Sequence, residues 1–98
     1  MEKQAVVITP KDSVAVATID LKKGQVATMF IGEKVLEVTL KDDVKFGHKF
    51  AIKDIAKGEH VLKYGESIGT TTRDITIGEH VHVHNVESDR GRGDKTHE

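Results

Sequence analysis

Asp54-Ile55-Ala56-Lys57-Gly58-Glu59-His60-Val61 recurs as Asp74-Ile75-Thr76-Ile77-Gly78-Glu79-His80-Val81, and a weaker copy stands at Asp20-Leu21-Lys22-Lys23-Gly24-Gln25-Val26. The order of residue types describes a local device. The Asp carboxylate accepts backbone N–H bonds and caps a single helical turn. Ile or Leu points from that turn into a core. Gly, four residues after Asp, takes the left-handed conformation that ends the turn. A strand then begins. Three turn-then-strand units in one short chain predict a compact, loop-rich, mainly β fold with short helical turns. Their irregular period excludes a solenoid.

Working outward, β-branched runs predict strands at Ala5 to Ile8, Val14 to Ile19, Phe46 to Ile52, Val61 to Tyr64 and His80 to Val86. Val26 to Ile31, Gly32-Glu33-Lys34 and Val35 to Leu40 form a hairpin pattern around a glycine turn. No amphipathic helix of normal length is legible. Ser88-Asp89-Arg90-Gly91-Arg92-Gly93-Asp94 is polar and glycine-rich, so the chain divides into a domain over 1–86 and a flexible polar tail over 87–98.

The chain has 98 residues, 37% of them hydrophobic and 32% charged, with a net charge of -1. A domain of this length buries about 60–65% of its unfolded surface. Near-neutral charge argues against a nucleic-acid binder built on a broad basic field. The absence of cysteine excludes disulfides, thiolate metal sites and cysteine nucleophiles from this chain. No apolar run approaches the roughly 20 residues of a membrane helix, and no targeting segment is visible, so a cytoplasmic location is expected. There is no Ser-His-Asp pattern, nucleophile elbow or dinucleotide fingerprint.

Chemistry concentrates in His80-Val81-His82-Val83-His84-Asn85. On a strand, His80, His82 and His84 share one face, at a same-face spacing of about 6.6–7 Å, with Val81 and Val83 turned to the core. Two such imidazoles can converge on one metal ion, and at most two are expected to act together. A solvated polar face is the plainer alternative, and general acid or base work is a third. Gly47-His48-Lys49 is a second candidate, because Gly before His signals an unusual backbone angle. His60 follows its turn as His80 does and reads as a feature of the repeat. Tyr64, the only tyrosine, can donate a hydrogen bond. Ile68-Gly69-Thr70-Thr71-Thr72-Arg73 offers hydroxyls and one guanidinium to an anionic ligand, and His97 falls in the tail.

Gly47-His48-Lys49-Phe50-Ala51, Asp54 to Glu59, Lys63-Tyr64-Gly65, Ile68-Gly69 and Gly78 to Asn85 resemble, in order and spacing, the N-terminal SAF domain of altronate and galactarate dehydratases. The resemblance runs from about Asp12 to Asp94. It implies a β-clip fold, cytoplasmic sugar-acid catabolism and dependence on a divalent metal, Fe2+ or Mn2+. The large catalytic region that follows this domain in the fused enzymes is missing here. The resemblance therefore implies a small subunit, inactive alone, working with a large dehydratase subunit to turn a 2,3-dihydroxy acid into a 2-keto-3-deoxy acid. Two alternatives stay open: the alpha subunit of a related lyase such as sulfolactate sulfo-lyase, and a non-catalytic module that binds carbohydrate or organises a homo-oligomer. Carried onto this sequence, the resemblance points to His48, His82, His84 and Asn85 as catalytic residues. It points to His82 and His84 as metal ligands, the metal bound mainly by the partner, and to Lys49, Lys63, Tyr64 and Arg73 as substrate-binding residues.

Overall fold

A computed structural model describes residues 4–7 and 9–88. Among the described residues, nine short strands follow one another: β1 (Ala5–Val6), β2 (Val14–Ala17), β3 (Val26–Ile31), β4 (Lys34–Thr39), β5 (Lys49–Ala51), β6 (His60–Lys63), β7 (Glu66–Thr71), β8 (His80–Val81) and β9 (Val86–Glu87). They pair antiparallel into a four-stranded sheet ordered β1-β2-β5-β8, a β3-β4 hairpin and a three-stranded sheet ordered β6-β7-β9. The fold is thus mainly β, as the sequence predicts. Among the described residues no helix is long and apolar enough to cross a membrane.

The four-stranded sheet lies in the middle because both of its faces are apolar. Successive side chains on a strand point to opposite faces. Ala15, Ala17 and Phe50 therefore join Leu21, Met29, Leu40 and Val44 on one side, while Val14, Ala51 and Val81 join Ile55, Val61 and Ile75 on the other. Phe50 is fully buried.

The repeated device occurs four times and works differently from the expectation. The fourth copy is Asp43-Val44-Lys45-Phe46-Gly47-His48. The copies act in reciprocal pairs, in which each Asp accepts the N–H of the residue three places after its partner's Asp. Asp20 Oδ1 receives the Phe46 N–H at 2.8 Å and Asp43 Oδ1 the Lys23 N–H at 2.8 Å. Asp54 Oδ1 receives the Ile77 N–H at 3.0 Å and Asp74 Oδ1 the Lys57 N–H at 2.8 Å. Isolated bridges Leu21–Val44 and Ile55–Ile75 join the members of each pair. The turns are tight turns and not helical, with the glycines at φ 88° (Gly24), 85° (Gly47), 87° (Gly58) and 94° (Gly78). In three copies the residue after Gly also closes its own turn: Gln25, Glu59 and Glu79 accept the N–H of Lys22, Ala56 and Thr76.

Two strand expectations change. Residues 66–71, for which the sequence analysis names no strand, form β7, which Gly69 permits: a Cβ there would stand 2.5 Å from Val86 Cγ1. Residues 80–86 are not one strand, since β8 ends at Val81 and the chain turns before β9. The β6-β7 hairpin closes through Tyr64 and Gly65, both with positive φ, and buried Asp12 receives the Gly65 N–H at 2.8 Å. Ile8 and residues 89–98, most of the expected tail, lie outside the described residues.

Candidate functional site

The turn after β8 is built around Asn85, which is fully buried. Its Oδ1 accepts the His82 N–H at 3.0 Å, and its Nδ2 donates to the His80 carbonyl at 2.8 Å. The His82 carbonyl accepts from both Asn85 and Val86 N–H, and the Asn85 carbonyl accepts from Thr72 N–H. Side-chain capture of neighbouring backbone groups is what Asn offers to a turn. Val83, expected in the core, is instead 82% exposed, and Asn85 takes the inward position.

This turn stacks the histidines instead of spacing them along a ladder. Ring centroids lie 5.1 Å apart for His48–His80, 4.7 Å for His48–His82 and 5.5 Å for His80–His82. His48 Nδ1 is 2.9 Å from His80 Nε2. One nitrogen from each of His48, His80 and His82 lies within 4.8 Å of the others. Two imidazoles on one divalent ion place their nitrogens at most about 4.2 Å apart, twice a bond of about 2.1 Å, so small side-chain adjustments close the set. His84 stands just outside it, its ring 5.4 Å from that of His80.

His48 reaches this cluster because it occupies the place of Gln25, Glu59 and Glu79 in the fourth turn. An imidazole there does not close its own turn. Pairing of β5 with β8, with Phe50 opposite His80, brings it to its neighbours. Asp42 Oδ2 accepts the His80 N–H at 3.0 Å and holds that backbone to the same turn. Burial first, then the charges of His48, His84 and His82, hold His80 below the usual imidazole value, with Asp42 opposing. A neutral ring is the form that ligates a metal.

A cavity of about 370 Å³ opens beside His82. Lys49 and Lys63 line it, with Ile68, Val81 and Val86 as apolar walls. Burial first and the Lys63 charge second hold Lys49 below the ordinary lysine value. Lys63 Nζ also lies 4.9 Å from the Tyr64 ring centroid.

The structure thus brings together His48, His82, Lys49 and Lys63 of the sequence candidates. His84 borders the cluster, and Asn85 is buried beneath it with both polar atoms engaged by backbone. Tyr64 sits half-exposed at the hairpin tip and Arg73 is exposed before Asp74, and neither lines the cavity. His60 is apart from the cluster, with Nδ1 3.1 Å from Ser67 Oγ. His80 is the residue the sequence reading undervalued. Alignment of the four turns singles out His48, because only the fourth replaces Gln or Glu with His, whereas His80 joins it through the β5-β8 pairing.

The family model described as the altronate/galactarate dehydratase SAF domain matches residues 3–89. The chain belongs to this family. The SAF domain is 46% identical over 85 residues to altronate dehydratase of Escherichia coli (strain K12) and 37% identical over 86 residues to that of Bacillus subtilis (strain 168). These alignments cover 87% and 88% of this chain but only 16% of each dehydratase. It is also 40% identical over 82 residues to the (2R)-sulfolactate sulfo-lyase subunit alpha of Chromohalobacter salexigens, covering 81% of this chain and 87% of that subunit.

Proposed function

We propose that this SAF domain is the small subunit of a cytoplasmic, metal-dependent lyase of the altronate/galactarate dehydratase type, completed by a large catalytic subunit. Elimination of water from a 2,3-dihydroxy acid requires removal of a weakly acidic proton beside a carboxylate and assisted departure of hydroxide. The observation that carries the reading is the convergence of His48, His80 and His82. Three imidazoles would suit a divalent ion such as Fe2+ or Mn2+ and would leave coordination positions for groups from substrate or partner. Such an ion supplies charge stabilisation for an enediolate-like transition state. His84, exposed beside His80, is placed to assist the leaving group as a general acid. Asn85 positions the rings without touching substrate.

A second reading has its own support. The chain matches the sulfo-lyase subunit alpha over 87% of that subunit's length. In that case the same site serves elimination of a sulfonate-bearing acid. Co-expression with a large dehydratase chain, followed by assay of altronate, galactarate and (2R)-sulfolactate with Fe2+ or Mn2+, separates the readings. The reading predicts activity only for the assembled pair, lost in His48→Ala and His80→Ala variants that still assemble. Full activity of those variants would refute the metal role. Activity of the large chain without this one would reduce the SAF domain to a binding or assembly module.

A further inference from the structure

We propose that the open edge of β4 pairs with the β4 edge of a second copy of this chain, joining the two hairpins into one continuous antiparallel sheet. This edge shares no residue with the site described above. An unpaired strand edge is a template for another strand unless it is short, covered, bulged or blocked by proline. Among the described residues the other sheet edges are short or covered. β1, β8 and β9 are two residues long. Thr28 of β3 is bonded to Gln4 through both N–H and carbonyl, and Leu62 of β6 is bonded to Ser13 in the same way. β4 is six residues long, pairs with β3 alone and keeps an unbroken register from Lys34 to Thr39.

The hydrogen-bond alternation identifies the groups on offer. The two-residue turn Gly32-Glu33 closes on a hydrogen-bonded pair, Ile31 with Lys34. Every second pair repeats it, Met29 with Leu36 and Ala27 with Val38, and the Leu40 N–H continues the series to the Gln25 carbonyl at 2.9 Å. The N–H and C=O groups of Val35, Glu37 and Thr39 therefore point away from β3. Gly78 closes off Thr39, since a Cβ on it would stand 2.3 Å from the Thr39 carbonyl oxygen. The open window is Val35 to Glu37, with Leu36 at its centre.

A two-fold axis through that centre makes the contact isologous. Val35 of each copy then faces Glu37 of the other, each pair exchanging both of its N–H···O=C bonds. Leu36 meets Leu36 of the second copy at a non-hydrogen-bonded position, where Cα atoms approach to about 4.5 Å. Half-buried Leu36 already lines a cavity of about 530 Å³ with Pro10, Ile31 and Val35, so the second leucine lands on apolar surface. Lys34 and Glu37 put charge on this edge, and charge selects the register. Centring on Val35 would set Glu33 opposite Glu37, and centring on Glu37 would set that carboxylate against its own copy. Like charges directly opposite are destabilising. So short a window gives a contact at the weak end of interface sizes, and the pairing depends on concentration.

The test is cysteine trapping, to which a chain with no cysteine of its own is suited. Under mild oxidation Leu36→Cys is expected to form a disulfide-linked dimer, because its Cα separation falls within disulfide range. Lys34→Cys is the control on the same face. Its two copies lie about 13 Å apart along the paired strands and should stay unlinked. Val35→Pro removes an outward N–H and leaves the β3-β4 ladder whole. Sedimentation equilibrium of the parent chain should show monomer and dimer. Val35→Pro should weaken the dimer roughly tenfold or more through lost edge bonds, with circular dichroism and Co2+ binding as in the parent. Absence of trapping in Leu36→Cys, equal trapping in both cysteine variants, or undiminished dimerisation of Val35→Pro overturns the pairing. A parent chain that stays monomeric at millimolar concentration, with the Leu36→Cys thiol protected only by a large dehydratase chain, gives the edge to a foreign strand and overturns it too. Trapping in Leu36→Cys without Co2+ binding overturns the metal reading and leaves the dimer standing.

Discussion

Replacing Asn85 by Ala probes the device that holds the site together. The side chain is fully buried and makes two bonds, to the His82 N–H at 3.0 Å and the His80 carbonyl at 2.8 Å. Its loss leaves two backbone groups unpaired beneath the turn. At about 1–2 kcal/mol per orphaned group, the cost is roughly 2–4 kcal/mol. For a domain of this size that corresponds to a drop in Tm of roughly 10–25 °C, within the usual stability of a folded domain. The turn keeps its Asn85 N–H bond to the His82 carbonyl, so the chain still folds, but His80 and His82 lose their fixed separation. Co2+ affinity should then fall at least about tenfold, or about 1.4 kcal/mol. Urea denaturation followed by circular dichroism reads the first quantity, and calorimetric titration with Co2+ the second. Asn85→Asp sharpens the test. It retains an acceptor for the His82 N–H but sets a carboxylate oxygen against the His80 carbonyl, so its carboxyl pKa is raised and its stability should improve as pH falls. A loss below about 0.5 kcal/mol in Asn85→Ala, with unchanged Co2+ affinity, would refute the assignment of the turn to this side chain.

His48→Gln installs the residue type of the other turns; stability by urea denaturation should hold or rise by up to about 1 kcal/mol while Co2+ binding is lost. Gly78→Ala places a Cβ 2.3 Å from the Thr39 carbonyl oxygen at φ 94°, whereas Gly58→Ala at φ 87° meets nothing within 4 Å. Gly58→Ala should cost only the left-handed strain of about 1–2 kcal/mol, and Gly78→Ala clearly more, as measured by thermal unfolding of the pair. Burial tends to raise the Asp12 carboxyl, but bonds from Gly65, Thr9 and Tyr64 outweigh it and hold it below its usual 3.8. Its stabilisation is therefore present above pH 3.8 and lost as pH falls through the lower folded-state value. Acid titration of stability should show a shallower decline in Asp12→Asn over that range.

Much of the fold was legible because it is locally encoded. The β-branched runs give β2, β3 and β4, Gly32 marks their hairpin, and the Asp-to-Gly spacing marks three of four turns. The reciprocity of those turns was not legible, because an Asp and the N–H it accepts are 17 to 26 residues apart in sequence. β7 escaped because Gly69 interrupts its run of strand-forming residues. Gly69 is there for the close passage of β9, a tertiary requirement. The His-Val alternation after Gly78 is a sound strand pattern that lost to Asn85, whose side chain competes for the backbone groups a strand would use. For the site, the sequence points to His48 and His82, while the place of His80 depends on the β5-β8 pairing and is invisible without topology. Lys49 and Lys63 meet across sheets for the same reason.

The most direct measurement is an anomalous-scattering map from crystals of the full chain grown with Mn2+. It should show one strong peak within bonding distance of one nitrogen from each of His48, His80 and His82. A peak held by His82 and His84 without the other two, or those three rings turned apart with no ion between them, would contradict the account.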